Sequence, residues 1–181
     1  MEGGLQKTIE RALKDKRLKK RLEKIHTLVI DEISMISGLA LQAGETVARL
    51  VRGKDIAWGG IKIIAVGDFG QLPPITQYSK NKDWAFLSPA WEKSDFKIAY
   101  LQTILRSQDK NFLEVLNFVR NGVVNETVSC FLNSKIQKNI SNFKGTRLFS
   151  HKRSVEDFNL KELENIKSPL KSFETEYVGQ E

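Results

Sequence analysis

Blocks of hydrophobic and polar positions along the chain predict helices and strands in turn. Apolar residues three to five positions apart predict a first helix over about residues 5–25. A similar spacing predicts a helix over residues 37–52, which Gly53 is placed to end. Further helices are expected over residues 111–121, 125–138 and 154–166.

Short, mostly apolar runs predict the strands. Two short runs, Thr27–Ile30 and Ile61–Val66, stand out, and the second is rich in β-branched residues, as is typical of a strand covered on both faces. Two more strands are expected at residues 96–101 and 146–149. Because strands alternate with helices, the chain is predicted to form an α/β fold with a mostly parallel sheet.

Both of the clearest strands end in polar residues that can carry chemistry. Asp31 and Glu32 follow the first strand directly, and Gly67–Pro74 follows the second, with glycines and prolines that fix the backbone around Gln71. Ligands bind beyond the carboxyl ends of parallel strands, so the two turns are expected to share one site. The alternative for the two acids is a helix N-terminus that carries negative charge.

Two carboxylates and an amide suit the hydrolysis of a phosphoanhydride, for which a protein mainly supplies position and charge. Asp31 would hold Mg²⁺ through its water shell, and Glu32 would orient or deprotonate the attacking water. The amide of Gln71 both donates and accepts hydrogen bonds, so it can sense a terminal phosphate and the water together.

Composition narrows the class of partner. The chain has 181 residues, of which 40% are hydrophobic, and a net charge of +7, which favours an anionic partner such as nucleic acid or nucleotide. Many of the cations lie in the first predicted helix, where they form either a solvated face or a contact with a phosphate backbone. The single Cys130 excludes an internal disulfide framework, and no apolar run reaches the roughly 18 residues of a membrane span. We therefore expect an intracellular protein without a membrane partner, cytoplasmic in a prokaryote and nuclear or mitochondrial in a eukaryote.

Several segments resemble motifs of the Pif-type helicases, the petite integration frequency family of superfamily one. Leu28–Met35 is similar to the Walker B motif of that family, and Gly67–Ile75 is similar to its motif III. Leu101–Ser107 and the helix that ends at Arg120–Gly122 resemble motif IV and its trailing helix. Residues 84–91 and 146–159 resemble two further segments of the family, so the likeness runs from about residue 27 to residue 166.

The resemblance implies a P-loop NTPase (RecA-like) motor fold that is incomplete. The C-terminal part of a first RecA-like domain would occupy residues 1–100, and the start of a second would occupy residues 101–181. Asp31 and Glu32 would be the magnesium and water-activating pair, and Gln71 would couple the terminal phosphate to the DNA groove. Arg106 would reach that phosphate from the second motor domain, since a guanidinium stays charged and binds phosphate oxygens in pairs. Without the family pattern, Arg106 is an exposed surface arginine.

The chain departs from such a motor in one main respect. No Gly-x-x-x-x-Gly-Lys-Ser/Thr loop, which would cradle the phosphates, occurs in the 181 residues. Gly3–Thr8 is only superficially similar, because Gln6 replaces the glycine before the lysine. We expect the chain to be the middle of a helicase and to hydrolyse little or no ATP by itself.

The leading hypothesis is an enzyme fragment of an ATP-dependent 5′-to-3′ DNA helicase that couples ATP hydrolysis to DNA unwinding. ATP and Mg²⁺ would be its cofactors and single-stranded or forked DNA its partner, and the resemblance implies work in DNA repair, recombination, or genome or telomere maintenance. The alternative is a non-catalytic remnant that binds single-stranded nucleic acid, or half of a split motor completed by a second polypeptide. Relatives of the RecD or Dda type share the Asp-Glu pair, but the Ile-Ser-Met that follows it favours the Pif type.

Overall fold

A computed structural model describes residues 4–75, 82–136, 145–169 and 171–175. The chain forms two compact units, Met1–Val128 and Ser129–Glu181. Its helices are α1 (Gly4–Lys14), α2 (Lys16–Lys24), α3 (Gly38–Arg52), α4 (Pro89–Ser94), α5 (Lys110–Arg120), α6 (Glu126–Ser134) and α7 (Lys152–Glu164). The strands are β1 (Thr27–Ile30) and β2 (Lys62–Ala65), and short 3₁₀ turns occupy Ile33–Met35, Ala57–Gly60 and Ala85–Leu87.

The first predicted helix is in fact two helices, because Asp15 interrupts it. The side chain of Asp15 accepts hydrogen bonds from the backbone N–H groups of Arg17 (2.8 Å) and Leu18 (3.0 Å), which makes it the N-cap of α2. The bonds from Leu18 and then Arg17 lower the pKa of this carboxyl. Both helices pack against α3, where Ile9 and Leu22 are buried.

The two strands form a parallel pair in the predicted positions, with Thr27 opposite Lys62 and Ile30 opposite Ala65. One face of the pair packs against the core beneath α1–α3 through Leu28, Ile30, Ile63 and Ala65. On the other face Val29 is 59% exposed and Ile64 is 41% exposed. The expectation that β2 is covered on both faces is wrong for the described part of the chain, in which the helices pack on one face.

The expected strands at residues 96–101 and 146–149 do not form. A strand needs a neighbour that exchanges backbone hydrogen bonds with it, and neither segment has such a neighbour among the described residues. The predicted helices over residues 37–52, 111–121 and 154–166 are confirmed as α3, α5 and α7. The helix predicted over 125–138 is confirmed as α6 up to Ser134, and residues 137 and 138 lie outside the described residues.

Capping interactions at both ends hold α3, the central helix of the first unit. The Ser37 hydroxyl accepts a hydrogen bond from the Ala40 N–H at 3.1 Å, and an Asp83 carboxylate oxygen accepts one from the Leu39 N–H at 3.1 Å. At the other end Gly53 adopts a left-handed conformation with φ of 59°, as predicted for a helix stop. The chain that follows the second strand is thereby attached to the first half of the unit.

The second unit contains the C-terminal part of α6 and the whole of α7. Its described contacts include a tilted pair of rings, Phe149 and Phe158, with centroids 5.6 Å apart. No residue of α7 is buried. Within the described ranges, no helix is both long and apolar enough to cross a membrane. The division into motor domains at residue 100 stays a prediction.

Candidate functional site

The turns that follow β1 and β2 lie side by side. The Val66 N–H donates a hydrogen bond to the Ile30 carbonyl (2.8 Å), and the Ile33 N–H donates one to the Val66 carbonyl (3.0 Å). The pairing of the two strands therefore continues beyond their carboxyl ends. As a result, Asp31 and Glu32 leave the sheet at the same edge as the turn that carries Gln71.

Gly67 allows this close approach of the two turns. A Cβ atom at position 67 would lie 2.9 Å from both the backbone nitrogen and the Cγ2 atom of Ile33. Since such distances are below van der Waals contact, a side chain there would push the turns apart. Glycine is required here by the proximity of the neighbouring backbone.

Asp31 and Glu32 are both exposed at the end of β1. Asp31 Oδ1 accepts a hydrogen bond from the Glu32 N–H at 2.9 Å. Glu32 adopts a left-handed backbone with φ of 50° and ψ of 46°, which is uncommon outside glycine. Strained residues of this kind cluster at functional sites, where the surrounding structure maintains them. Beneath the pair, Ser34 is fully buried and its hydroxyl has no hydrogen-bond partner among the described residues.

Asp68 organises the turn that carries Gln71. Its Oδ1 accepts a hydrogen bond from the Gly70 N–H at 2.9 Å, and its backbone carbonyl accepts one from the Gln71 N–H at 2.9 Å. The Gln71 side-chain amide donates to Asp68 Oδ2 at 3.3 Å. An aspartate side chain that accepts a hydrogen bond from the backbone two residues further on closes an Asx turn, which fixes the local backbone. The exposed amide of Gln71 is therefore held at a defined place on the sheet edge.

Arg120, the last residue of α5, fastens this turn to the helix. Its Nη2 donates to Asp68 Oδ1 at 2.8 Å, and its Nη1 donates to Asp68 Oδ2, so both oxygens are bound in a fork. The guanidinium and then the Gly70 N–H hold the pKa of Asp68 well below its usual range, and Asp68 raises the pKa of Arg120. Asp68 is consequently a permanent anion in the folded protein near neutral pH.

The sequence did not predict the Asp68–Arg120 pair. The two residues are 52 positions apart, and neither a turn aspartate nor an arginine at a helix end is unusual alone. Arg120 belongs to the helix end that resembles the family's helix after motif IV, and that resemblance assigns it no role. A search for opposite charges on segments that flank one predicted site would have found the pair.

Arg106 is not joined to the other predicted site residues. It is exposed in the segment that precedes α5, and it forms no hydrogen bond or ion pair with any residue that the structure describes. The structure therefore places Asp31, Glu32 and Gln71 on one sheet edge, whereas the place of Arg106 in that site stays a prediction.

An aromatic cluster supports the Gln71 turn from the other side. The Phe69 ring lies edge-to-face against Trp84, Phe86 and Trp91, with centroids 5.9, 4.9 and 5.7 Å away. Phe69 and Trp91 also pack against the core of the unit. The cluster therefore acts mainly as core, although Phe86 keeps 41% of its surface exposed.

A second polar group lies away from this edge, between α3 and the turn at Ala57–Gly60. The carboxylate of Glu45 is buried, lies 3.3 Å from Arg49 Nε and accepts a hydrogen bond from the Trp58 N–H at 3.4 Å. Arg49 also pairs with the exposed Asp55 at 3.2 Å. These groups line a shallow open depression, and their contacts hold the Trp58 turn on α3.

The fold and the paired turns belong to the α/β class, with the P-loop (RecA-like) fold that solved Pif1 helicases share. A family model described as PIF1-like helicase matches residues 5–130, and the chain belongs to this family. The chain is 45% identical over 181 residues to the ATP-dependent DNA helicase Pif1 of Bdellovibrio bacteriovorus, and 38% identical over 151 residues to the ATP-dependent DNA helicase PIF1 of Xenopus laevis. These alignments cover 100% and 81% of the chain but only 41% and 24% of the relatives.

Solved structures show the same likeness. The crystal structure of Pif1 helicase from Candida albicans matches 93% of this chain and 38% of its own, with a TM-score of 0.79 and 28% identity. A Bacteroides Pif1 helicase in complex with ADP-AlF3 and single-stranded DNA matches 86% of this chain and 39% of its own, with a TM-score of 0.75 and 27% identity. The chain thus spans less than half the length of the proteins it resembles.

Proposed function

We propose that this chain is part of an ATP-dependent DNA helicase and that its acidic sheet edge contributes to the nucleotide site. The observation that carries the proposal is the hydrogen bond from the Ile33 N–H to the Val66 carbonyl, which brings the Asp31–Glu32 turn against the Gln71 turn. Support comes from the relatives, which are named ATP-dependent DNA helicases, and from the Bacteroides structure with a nucleotide analogue and single-stranded DNA.

The donor set at this edge fits Mg²⁺ shared with a nucleotide. Within the described residues, no group of three or more His, Cys, Asp and Glu side chains is arranged to hold a metal alone. Mg²⁺ commonly binds one or two carboxylates together with substrate phosphates and waters, and Asp31 and Glu32 are two exposed carboxylates. When bound, the ion would neutralise phosphate charge that develops during hydrolysis.

The side chains on this edge divide the work of hydrolysis. Asp31 would hold Mg²⁺ through its water shell, and Glu32 would orient the attacking water and take its proton. Gln71 hydrogen-bonds the terminal phosphate or the water, and Asp68, clamped by Arg120, keeps the backbone around Gln71 in place. Arg106 supplies a guanidinium to the terminal phosphate when the motor closes.

The proposed domain arrangement assigns residues 1–100 to the first motor domain and residues 101–181 to the start of the second. Arg106 then belongs to the second domain and reaches the nucleotide across a cleft. No phosphate-cradling loop is encoded in the 181 residues. We therefore expect ATP hydrolysis by this chain alone to be negligible, with the loop supplied by another segment or a second polypeptide.

A chimaera tests the proposal, in which this chain replaces the aligned segment of the Bdellovibrio helicase. The chimaera should release phosphate from ATP in a DNA-stimulated manner, and Glu32→Gln should reduce that rate at least about 100-fold, as is typical for loss of a general base. Glu92→Gln, which neutralises an exposed acid on α4, is the matched control and should leave the rate unchanged. Turnover that survives Glu32→Gln would contradict the assignment.

A further inference from the structure

A dense group of cations lies on and just before α2. Between residues 14 and 24 there are seven cations and two carboxylates, a local net charge of +5 in a chain whose formal net charge is +7. All seven cations are exposed. We call this surface the basic face; its members are Lys14, Lys16, Arg17, Lys19, Lys20, Arg21 and Lys24.

The charge of the basic face is not neutralised within the protein. None of its seven members forms an ion pair with a residue in the described part of the chain. Of the two carboxylates nearby, that of Asp15 is engaged in capping α2. Lys16, Lys20 and Lys24 recur every four residues, so they stand about 6 Å apart in one row, a spacing at which like charges destabilise a helix. An anionic partner would relieve this repulsion.

The basic face is presented by a helix that is firmly attached. Arg52 of α3 donates hydrogen bonds to the carbonyls of Leu22 (2.9 Å) and Ile25 (3.0 Å) at the end of α2. The apolar side of α2 is already used, because Leu22 is buried and Leu18 packs against the core. A helix whose apolar side is buried cannot insert that side into a membrane surface, so binding by insertion into lipid is disfavoured.

We propose that the basic face binds the phosphate backbone of duplex DNA. Sites for single strands combine cations with aromatic side chains on which bases stack, and α2 contains no aromatic residue. A nine-residue helix is about 13 Å long, and a duplex of that length carries about eight phosphate charges. The choice of DNA as the polyanion rests on the proposed function, whereas the unneutralised charge does not.

The basic face is separate from the acidic sheet edge. α2 leads through Ile25 and His26 into the start of β1, and the His26 carbonyl accepts a hydrogen bond from the Lys62 N–H at the start of β2 (2.9 Å). The basic face therefore adjoins the amino ends of the strands, while Asp31 and Glu32 follow the carboxyl end of β1. Duplex bound at the basic face would not require nucleotide.

Fluorescence anisotropy of the purified chain with a labelled duplex and a labelled oligothymidine tests the proposal. The triple variant carries Lys16→Gln, Lys20→Gln and Lys24→Gln. Its Kd for duplex should rise at least about tenfold. The slope of log Kd against log salt should fall by about 3, because each phosphate contact contributes about 0.9 to that slope. The Kd for oligothymidine should change less. The matched control removes the same charge from α7 by Lys152→Gln, Arg153→Gln and Lys161→Gln, and should change the duplex Kd less than about twofold.

Three results would overturn the proposal. They are an unchanged duplex Kd in the α2 variant, an equal loss in the α7 control, and an absence of duplex binding by the unmodified chain at low salt. Circular dichroism verifies that the variants fold. If the triple variant does not fold, the single variant Lys20→Gln repeats the test, and its affinity for duplex should fall about twofold. Because the assay contains no nucleotide, its outcome is independent of the Glu32→Gln experiment that tests the ATP site.

Discussion

The two ends of the β1–β2 strand pair, which we call the carboxyl edge and the amino edge, differ in whether their charged residues have partners within the protein. At the carboxyl edge, the anion of Asp68 is bound by a guanidinium fork and by backbone and side-chain N–H groups. At the amino edge, the cations of the basic face have no ion-pair partner in the described residues. Charges that are paired at short distance hold the surrounding side chains in a defined geometry, which suits the binding of a small ligand. Unpaired exposed cations instead attract a polyanion without fixing its register.

The largest effect on stability is expected from Gly67→Ala, which disturbs the carboxyl edge. The new Cβ would lie 2.9 Å from the backbone nitrogen of Ile33, so the two turns must separate, at a cost of about 1–3 kcal/mol in the free energy of unfolding. Urea denaturation measures the loss. Gly44→Ala is the control, because a Cβ there meets only the Trp58 ring at 3.4 Å in the interior of α3, and it should stabilise by about 0.5–1 kcal/mol.

A somewhat smaller effect is expected at the amino edge from Arg52→Met. The substitution removes the hydrogen bonds to the carbonyls of Leu22, Ile25 and Gly59 and should cost about 1–2 kcal/mol. Hydrogen exchange should accelerate in α2, because its attachment to α3 is lost. Lys54→Met, at an exposed position just beyond α3, is the control. Unchanged exchange in α2 would show that Leu18 and Leu22 alone hold the helix.

A pH-dependent effect is expected for the Asp68–Arg120 pair. Because the pKa of Asp68 is lower in the folded than in the unfolded protein, its stabilisation is fully present above the usual value of about 3.9 and declines as pH falls below it. The difference in melting temperature between wild type and Arg120→Gln should therefore be a few degrees at pH 6 and shrink towards pH 2.

Arg106→Gln serves as the control for this pH series. Arg106 is exposed and has no ion pair with a described residue, so its removal should shift the melting temperature little at any pH. If Arg120→Gln behaved in the same way as Arg106→Gln, the fork would contribute nothing to the stability of the carboxyl edge, and the contrast between the two edges would be lost.

The smallest effect is expected from Lys20→Gln in the absence of DNA. Relief of repulsion with Lys16 and Lys24 should stabilise the protein by a few tenths of a kcal/mol at low salt. The gain should disappear at 1 M salt, where the Debye length is about 3 Å. Destabilisation at low salt would instead mean that Lys20 has a favourable partner within the protein, contrary to the structure.

Local patterns predicted most of the elements. α3, α5 and α7 follow from apolar spacing, and Gly53 ends α3 as expected. The break at Asp15 was missed, because an aspartate cap inside a continuous apolar pattern resembles an ordinary helical residue. The strands expected at residues 96–101 and 146–149 did not form, because an apolar run cannot specify whether a neighbouring strand is available.

Short motifs and local spacing are enough to identify the side chains that end the two strands, the parallel α/β class and the helicase family. The folded structure is needed to show that Arg120 clamps Asp68, that Arg52 attaches α2, and that Gly67 must lack a side chain. Each of these contacts joins residues about 30 or more positions apart. Such contacts depend on the path of the folded chain, which the spacing of residues along the sequence does not encode locally.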